Sequence, residues 1–267
     1  MLILIRGAGD LASGVAHRLI RSGFSVILTD TAKPTTVRCT VAFSQAIYTH
    51  KPVILEGVAG ELADSPEHAL LLTRQGKAAI LVDPECCCRE KLHPDVLVDA
   101  VIAKRNLGTK ITDAPVVIAL GPGFTAGEDC HAIIETKRGH TLGTVILHGS
   151  AIPNTGIPGN VGGYTSQRLL RAPCSGIFSP VVSIGTIVKK GDITATVDGM
   201  PVISELDGVV RGLLPEGTPV FQGMKSGDVD PRGIRDYCFT ISDKARAIGG
   251  GVLEAILLLQ HKKGGNL

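Results

Sequence analysis

Residues 1–30, MLILIRGAGDLASGVAHRLIRSGFSVILTD, decide how the N-terminal half is read. Leu2–Ile5 is the uninterrupted apolar run that a strand buried on both faces needs. Gly7 and Gly9 then turn the chain into a segment of helical periodicity. In it Leu11, Val15, Leu19 and Ile20 share one face, and Gly23 supplies the stop. SVILTD (25–30) is a second strand, so the unit reads strand, helix, strand. Gly7, Gly9 and Ala12 match G-x-G-x-x-G/A. The first glycine permits the sharp turn, the second lets backbone N–H groups approach a phosphate, and the small third residue lets helix pack on strand. Asp30 closes the second strand, where a carboxylate can accept hydrogen bonds from ribose hydroxyls. Asp10 follows Gly9 directly. It puts a negative charge where a pyrophosphate would lie, or it caps the helix.

Working outward, further apolar runs occur at 52–57 (PVILEG), 78–82 (AAILV), 96–102 (VLVDAVI) and 114–120 (APVVIAL). Between the first two, SPEHALLLTRQG predicts a helix with Ser65 as N-cap, Pro66 at its first position and Gly76 past its end. This alternation predicts an α/β fold over residues 1–165, a Rossmann-like doubly wound parallel sheet. Such sheets bind ligands beyond the carboxyl ends of their strands. The loops expected there are GAGD, Asp30, DPECCC and GPGF, the last with Gly121 and Gly123.

DPECCCRE (83–90) places three thiols in a row. Successive side chains of an extended backbone point to opposite sides, so Cys86, Cys87 and Cys88 do not converge on one ion. Two readings stay open: inert packing, or a nucleophilic or soft-metal role for one of them, with Arg89 at hand to hold a thiolate. Downstream, HAIIET and TVILH are strand-like and separated by KRGH. Glu135, Arg138 and His140 near this turn supply either a catalytic acid, base and anchor or a surface ion pair.

From about residue 166 the texture changes to short strands and glycine turns. IGTIVKKGDITATV is echoed by EGTPVFQG, each with a V-x-x-G step. Two such halves over 166–232 resemble the barrel-sandwich hybrid fold of biotinyl and lipoyl carrier domains. The hairpin TVDGMPVIS has Met200 and Pro201 where a carrier presents its acceptor lysine, so no covalent biotin or lipoate is expected. Asp228 and Asp230, followed by Arg232, form either a Mg²⁺ pair or a salt-linked loop. The last segment, 233–267, contains a helix capped by Ser242 and is expected to pack back on the first module. Gly249–Gly251 within it call for a close neighbour.

With 267 residues, 44% of them hydrophobic, the chain can bury a substantial core and suits two modules. No apolar run approaches the roughly 18–20 residues that span a bilayer, and no basic leader precedes LILI, so a cytoplasmic protein without a membrane partner is expected. Formal charge is +2 with no basic stripe, and aromatics are 3% with no Trp, which argues against nucleic acid. The cysteine count of seven is odd and does not suggest a disulfide framework.

RGAGDLASGVAHRL, GPGF with DCHAIIETKRGHTLG, NTGIPG, KSGDVDPR and ISDKARAIGGGVLEA, in this order, resemble the YqeB family of selenium-dependent molybdenum hydroxylase system proteins across nearly the whole chain. The resemblance implies an accessory protein with a dinucleotide-type domain similar to that of xanthine dehydrogenase maturation factors. It further implies a molybdopterin-type cofactor or a nucleotide as small phosphorylated ligand and a molybdenum hydroxylase apoprotein as partner. A homo-oligomer is compatible with it. The triple cysteine lies outside the family pattern. The competing reading is an NAD(P)-dependent oxidoreductase. On either reading the candidate catalytic residues are Cys86, Cys87 and Cys88. The candidate cofactor-binding residues are Gly7, Gly9, Asp10, Ala12, Asp30, Gly121, Gly123 and Arg138, and no metal ligands are assigned.

Overall fold

The computed structural model describes residues 1–264. It divides into two compact units. The first comprises Met1–Pro34, Ala42–Thr155 and the chain from Ile241 onward; the second comprises Thr35–Val41 and Gly156–Thr240. The division falls at Thr155 rather than 165, and a short N-terminal segment joins the second unit.

The first unit is built on nine strands: β1 (Leu2–Arg6), β2 (Ser25–Asp30), β3 (Val53–Leu55), β4 (Val58–Leu62), β5 (Ala78–Val82), β6 (Val96–Asp99), β7 (Val116–Leu120), β8 (Ala132–Ile134) and β9 (Val145–Ile146). Their order is β3-β4-β5-β2-β1-β6-β7-β8-β9. This corrects the expected doubly wound parallel sheet: the sheet is mixed. The strands from β4 to β8 pair in parallel, whereas β3 and β9 close the two edges antiparallel. PVILEG is not one strand but the first arm of a hairpin. Glu56 and Gly57 both take positive φ (44° and 86°), the backbone that a tight two-residue turn requires.

The regular alternation with helices also stops early. Helix α1 (Asp10–Arg21), α2 (Gln45–Thr49), α3 (Pro66–Arg74) and the single turn α4 (Arg89–Leu92) all precede β6. The parallel crossovers from β6 to β7 and from β7 to β8 are irregular loops, where Ile102 and Lys104 at positive φ break the run VLVDAVI. Helix α3 starts as its sequence dictates, with the Ser65 hydroxyl accepting from the His68 N–H at 3.1 Å and Pro66 in the first turn.

Helix α5 (Asp243–Gly264) belongs to this unit and packs on α1. Two of its glycines, Gly249 and Gly251, explain themselves there. A Cβ on Gly249 would lie 3.1 Å from the Gly14 carbonyl oxygen, and one on Gly251 would collide with the carbonyl of Gly143. Reciprocally, a Cβ on Gly14 would sit 2.6 Å from that of Ala245.

The second unit holds β10 (Leu169–Arg171), β11 (Gly176–Pro180), β12 (Ile187–Val188), β13 (Ile193–Val197), β14 (Met200–Ile203), β15 (Gly208–Leu213), β16 (Thr218–Val220) and β17 (Lys225–Asp230). They form two four-stranded antiparallel sheets, β10-β17-β15-β12 and β14-β13-β11-β16. Phe178, Val197, Val210 and Val229 lie in the core between them. The biotinyl/lipoyl-type barrel of two equivalent halves is therefore also corrected. Strands β10 and β17 and the segment around Val37 complete this core from outside the echoed halves, and three pairings carry register shifts. The echo itself has a local cause. Val188 and Val220 are buried, and Gly191 and Gly223 three residues on turn the chain at φ 98° and 80°. Asp198 and Gly199, at φ 45° and 83°, make the β13–β14 turn, with Met200 and Pro201 opening β14.

Candidate functional site

Strand alternation sets the site. Leu4, Ile27 and Leu97 point into one core layer, so two residues on, at the carboxyl ends of β1, β2 and β6, Arg6, Thr29 and Asp99 point to that same face. Cys86, Cys88 and Leu92 cover this layer. Strand β1 lies between β2 and β6, where the chain's path reverses across the sheet, the place where open α/β sheets leave a crevice. A cavity of about 190 Å³ opens there, lined by Arg6, Glu85, Cys86, Cys87, Arg89 and Thr109, among others.

Arg6 is buried, and its guanidinium is held from several sides. Nε donates to the Pro84 carbonyl at 3.3 Å, and Nη1 donates to the Leu107 carbonyl at 3.1 Å and to Thr109 Oγ1 at 3.2 Å. Thr109 donates in turn to Asp99 Oδ2 at 2.6 Å, and Asp99 lies 3.7 Å from Arg6 Nη1. On the solvent side Arg6 Nη2 meets Glu85 at 3.5 Å, a carboxylate whose side chain is 75% exposed. Arg89 donates to the carbonyls of Cys86 (2.9 Å) and Glu85 (3.3 Å) and pairs with Asp113 at 3.5 Å. Two guanidiniums thus flank the cavity, Arg6 with two carboxylates beside it and Arg89 with one.

The cysteine loop is pinned by Asp83. Its carbonyl accepts from the Cys86 N–H at 3.1 Å, and its Oδ2 accepts from the Cys88 N–H at 2.7 Å. Cys86 adopts φ 56°, a left-handed conformation unusual for a side chain-bearing residue. The turn buries Cys86 and Cys88 in the same core layer and leaves Cys87 exposed. The hydrogen bond from Cys88 holds the Cys86 thiol below its ordinary range. Burial opposes this, and the Thr29 hydroxyl and the Arg6 charge assist it. The same pairing, with burial, pushes the Cys88 thiol strongly up. Thr29 Oγ1 is buried and has no hydrogen-bond partner among the described residues.

The structure thus brings Cys86 and Cys87 to a cavity together with Arg6, Thr109 and Asp113, residues that sequence reasoning missed. Arg6 and Asp99 carried a legible signal: each is a charged residue closing an otherwise apolar parallel strand at its carboxyl end.

The glycine corner is shaped as its sequence requires, with Gly7 at φ 104° packed against the Ala100 carbonyl and Ala12 buried under α1. Its polar groups are largely engaged. The Gly7 N–H donates to the Thr29 carbonyl at 2.8 Å, and the Ala8 N–H donates to Asp30 Oδ2 at 2.9 Å. Asp30 Oδ1 accepts from the Thr31 N–H at 2.7 Å. The Ala8 carbonyl accepts from the Ser44 N–H and the Ser13 hydroxyl. Gly9 is the N-cap of α1 and Asp10 opens its first turn.

Gly121 and Gly123 are close-approach positions, against Thr136 and the backbone of Arg105 respectively. Arg138 is distant from these groups in role: it grips Asp243 at the start of α5 with two bonds of 2.6 and 3.1 Å. Glu135 is buried and accepts from the N–H groups of Lys137 and Ile152. In the second unit Asp228 pairs with Arg168 (3.1 Å), and Asp230 pairs with Arg211 (3.3 Å) and Arg232 (2.6 Å), the salt-linked alternative. Among the described residues no group of three or more His, Cys, Asp or Glu is placed to hold a metal ion. No helix among them is long and apolar enough to cross a membrane.

No family model matches the chain. Among solved structures, an aspartoacylase family protein of Mesorhizobium loti is 13% identical, with 77% of this chain and 84% of that one covered at a TM-score of 0.25. A succinylglutamate desuccinylase of Silicibacter sp. TM1040 is 12% identical, with 85% and 84% covered, also at 0.25. Likeness at that level carries no argument. The uncharacterized protein YqeB of Escherichia coli (strain K12) is 52% identical over 261 residues, 98% of this chain and 48% of that protein, so the chain spans about half the length of the curated relative it matches. Identity of this degree, sustained from the glycine corner to the C-terminal helix, makes the chain a member of the YqeB family.

Proposed function

We propose that the chain is a maturation factor for a molybdenum hydroxylase that needs selenium, and that it receives the phosphorylated end of a molybdopterin-type or nucleotide cofactor at the carboxyl edge of the sheet. The supporting observation is the cavity beyond β1 and β6, where Arg6, Arg89 and the Thr109 hydroxyl converge. Guanidinium groups match the planar, multidentate demands of a phosphate. At about 190 Å³ the cavity is smaller than sites that engulf a drug-sized ligand, so it suits a phosphate end group with the remainder of the cofactor outside. Glu85, exposed and lightly held, is the carboxylate an incoming anion displaces from Arg6.

The oxidoreductase reading is less well supported. It needs Asp30 as the acceptor for ribose hydroxyls, and both carboxylate oxygens already accept backbone N–H groups. Thermal unfolding in the presence of inorganic phosphate, mononucleotides, NAD(P)H and molybdopterin discriminates the two. Stabilisation by phosphorylated pterin or mononucleotide that is lost in Arg89→Gln supports the proposal. Stabilisation by NAD(P)H alone, accompanied by hydride transfer, overturns it. The apoprotein partner is tested by co-purification with a molybdenum hydroxylase subunit from cells that make the cofactor.

A further inference from the structure

The cofactor reading makes no use of the thiols, yet the chain goes to some length to position them. Asp83 fixes both ends of the Cys86–Cys88 turn. Arg89 clamps the Cys86 carbonyl at 2.9 Å. Cys86 lines the cavity although it is buried, with a left-handed backbone. Cys130, by contrast, is sealed in the same core layer and pushed up to about 12, mainly by burial, as an inert packing thiol should be.

We propose that Cys86 and Cys88 are a dithiol–disulfide couple served by this cavity, and that its substrate is a small disulfide bearing carboxylate groups. The two thiols stand at i and i+2 in one turn, with Asp83 holding both backbone N–H groups and both side chains buried in the same core layer, so side-chain rotation can close them to a bond of about 2.05 Å. Arg6 and Arg89 at the cavity wall supply the charge that draws carboxylates.

The exchange proceeds in two displacements. The Cys86 thiolate attacks one sulfur of R–S–S–R; a Cys86–S–S–R bond forms and R–S⁻ leaves, taking the proton of Cys88. The resulting Cys88 thiolate attacks the Cys86 sulfur, the intramolecular disulfide forms and the second R–S⁻ leaves. It takes up the proton that Cys86 had released. Two protein thiols are oxidised to one disulfide, one substrate disulfide is reduced to two thiols, and no further oxidant enters. The low-held thiol is the attacking group and the high-held one keeps its proton until the first leaving group takes it.

The inference goes beyond the cofactor reading and does not rest on it, and its test contains no phosphorylated ligand. The reduced full chain is treated with one equivalent of glutathione disulfide, quenched by alkylation and mapped over the peptide 78–89. The expected result is a Cys86–Cys88 disulfide with two glutathione thiols released per chain. Cys88→Ser should accumulate one glutathione on Cys86. Cys87→Ser should behave as wild type, and its loss of both remaining thiols in the peptide assigns the bond without fragment ions. Cys86→Ser should slow glutathione release by at least about tenfold. An adduct resting on Cys87 while Cys86 and Cys88 stay reduced overturns the proposal. So does reaction of Cys86 and Cys88 only under denaturing conditions, as for Cys130. The wild-type map alone decides the matter if a serine variant fails to fold.

Discussion

The carboxylate of Asp30 accepts the backbone N–H of Ala8 at 2.9 Å, joining the end of β2 to the turn after β1. The glycine corner is thereby braced by the residue that a nucleotide would otherwise recruit. Burial raises the Asp30 pKa above the ordinary carboxylate value, against the opposing bonds from Thr31 and Ala8. A folded chain that holds this proton more tightly than the unfolded chain has the Asp30 contribution fully below the ordinary pKa. It loses that contribution as pH rises through the folded value. Asp30→Asn keeps an oxygen for Ala8 and abolishes the titration. Urea denaturation at several pH values should show wild type gaining on Asp30→Asn as pH falls from about 7 to about 4, and a pH-independent difference would contradict the account.

The charge arrangement at the cavity mouth predicts opposite effects from neighbouring substitutions. Removing the exposed carboxylate with Glu85→Gln should tighten a phosphate-bearing probe by about two- to five-fold, the scale of a lost surface charge interaction. Arg89→Gln should weaken the same probe by about tenfold or more. Isothermal titration with a mononucleotide checks both, and effects of the same sign would exclude an anion at this mouth.

Arg6 is structural as well as a cavity wall. Arg6→Met leaves Asp99 buried with only the Thr109 hydroxyl and the Val101 N–H, no cation, and strips the Pro84 and Leu107 carbonyls of their donor. The expected loss is about 3–5 kcal/mol, because the surviving charge stays buried. Arg6→Lys restores charge without the fork and should fall between wild type and Arg6→Met in urea midpoint at unchanged slope.

Two adjacent glycines of α5 should respond differently to alanine. At Gly251 a Cβ meets the Gly143 carbonyl, and Gly251→Ala should cost about 1–3 kcal/mol. At Gly250 nothing lies within 4 Å, and Gly250→Ala should stabilise by up to about 1 kcal/mol through helix propensity. Thermal denaturation of the two variants orders them, and equal effects would mean that α5 is not seated against the 135–144 turn.

The strand–helix–strand opening was legible because apolar runs, glycine placement and helical periodicity all act locally, and Ser65 with Pro66 announced α3 for the same reason. The hairpin at Glu56–Gly57 was less visible. Its turn leaves PVILEG looking like a single strand, and only pairing across the chain shows that the edge runs antiparallel. The same holds for β9, and these edges together with the helix-free crossovers turn the expected parallel sheet into a mixed one. The second unit misled because V-x-x-G records a kind of turn and says nothing about which strands adjoin.

The site was half legible. Three cysteines after an apolar strand drew notice, but extended geometry suggested that they diverge, whereas the left-handed Cys86 folds the loop so that Cys86 and Cys88 enter the same buried layer. Arg138 had the right chemistry for an anion anchor, yet its partner, Asp243, lies 105 residues away along the chain, beyond the reach of any local pattern.

The backbone of Cys86 at φ 56° has one more implication. An L-residue held in that region stores about 1–2 kcal/mol that glycine would not, so the loop would relax if Cys86 were replaced by glycine. Breeding this protein for ruggedness alone would favour glycine at that position, and a lineage that retains cysteine there keeps a cocked segment.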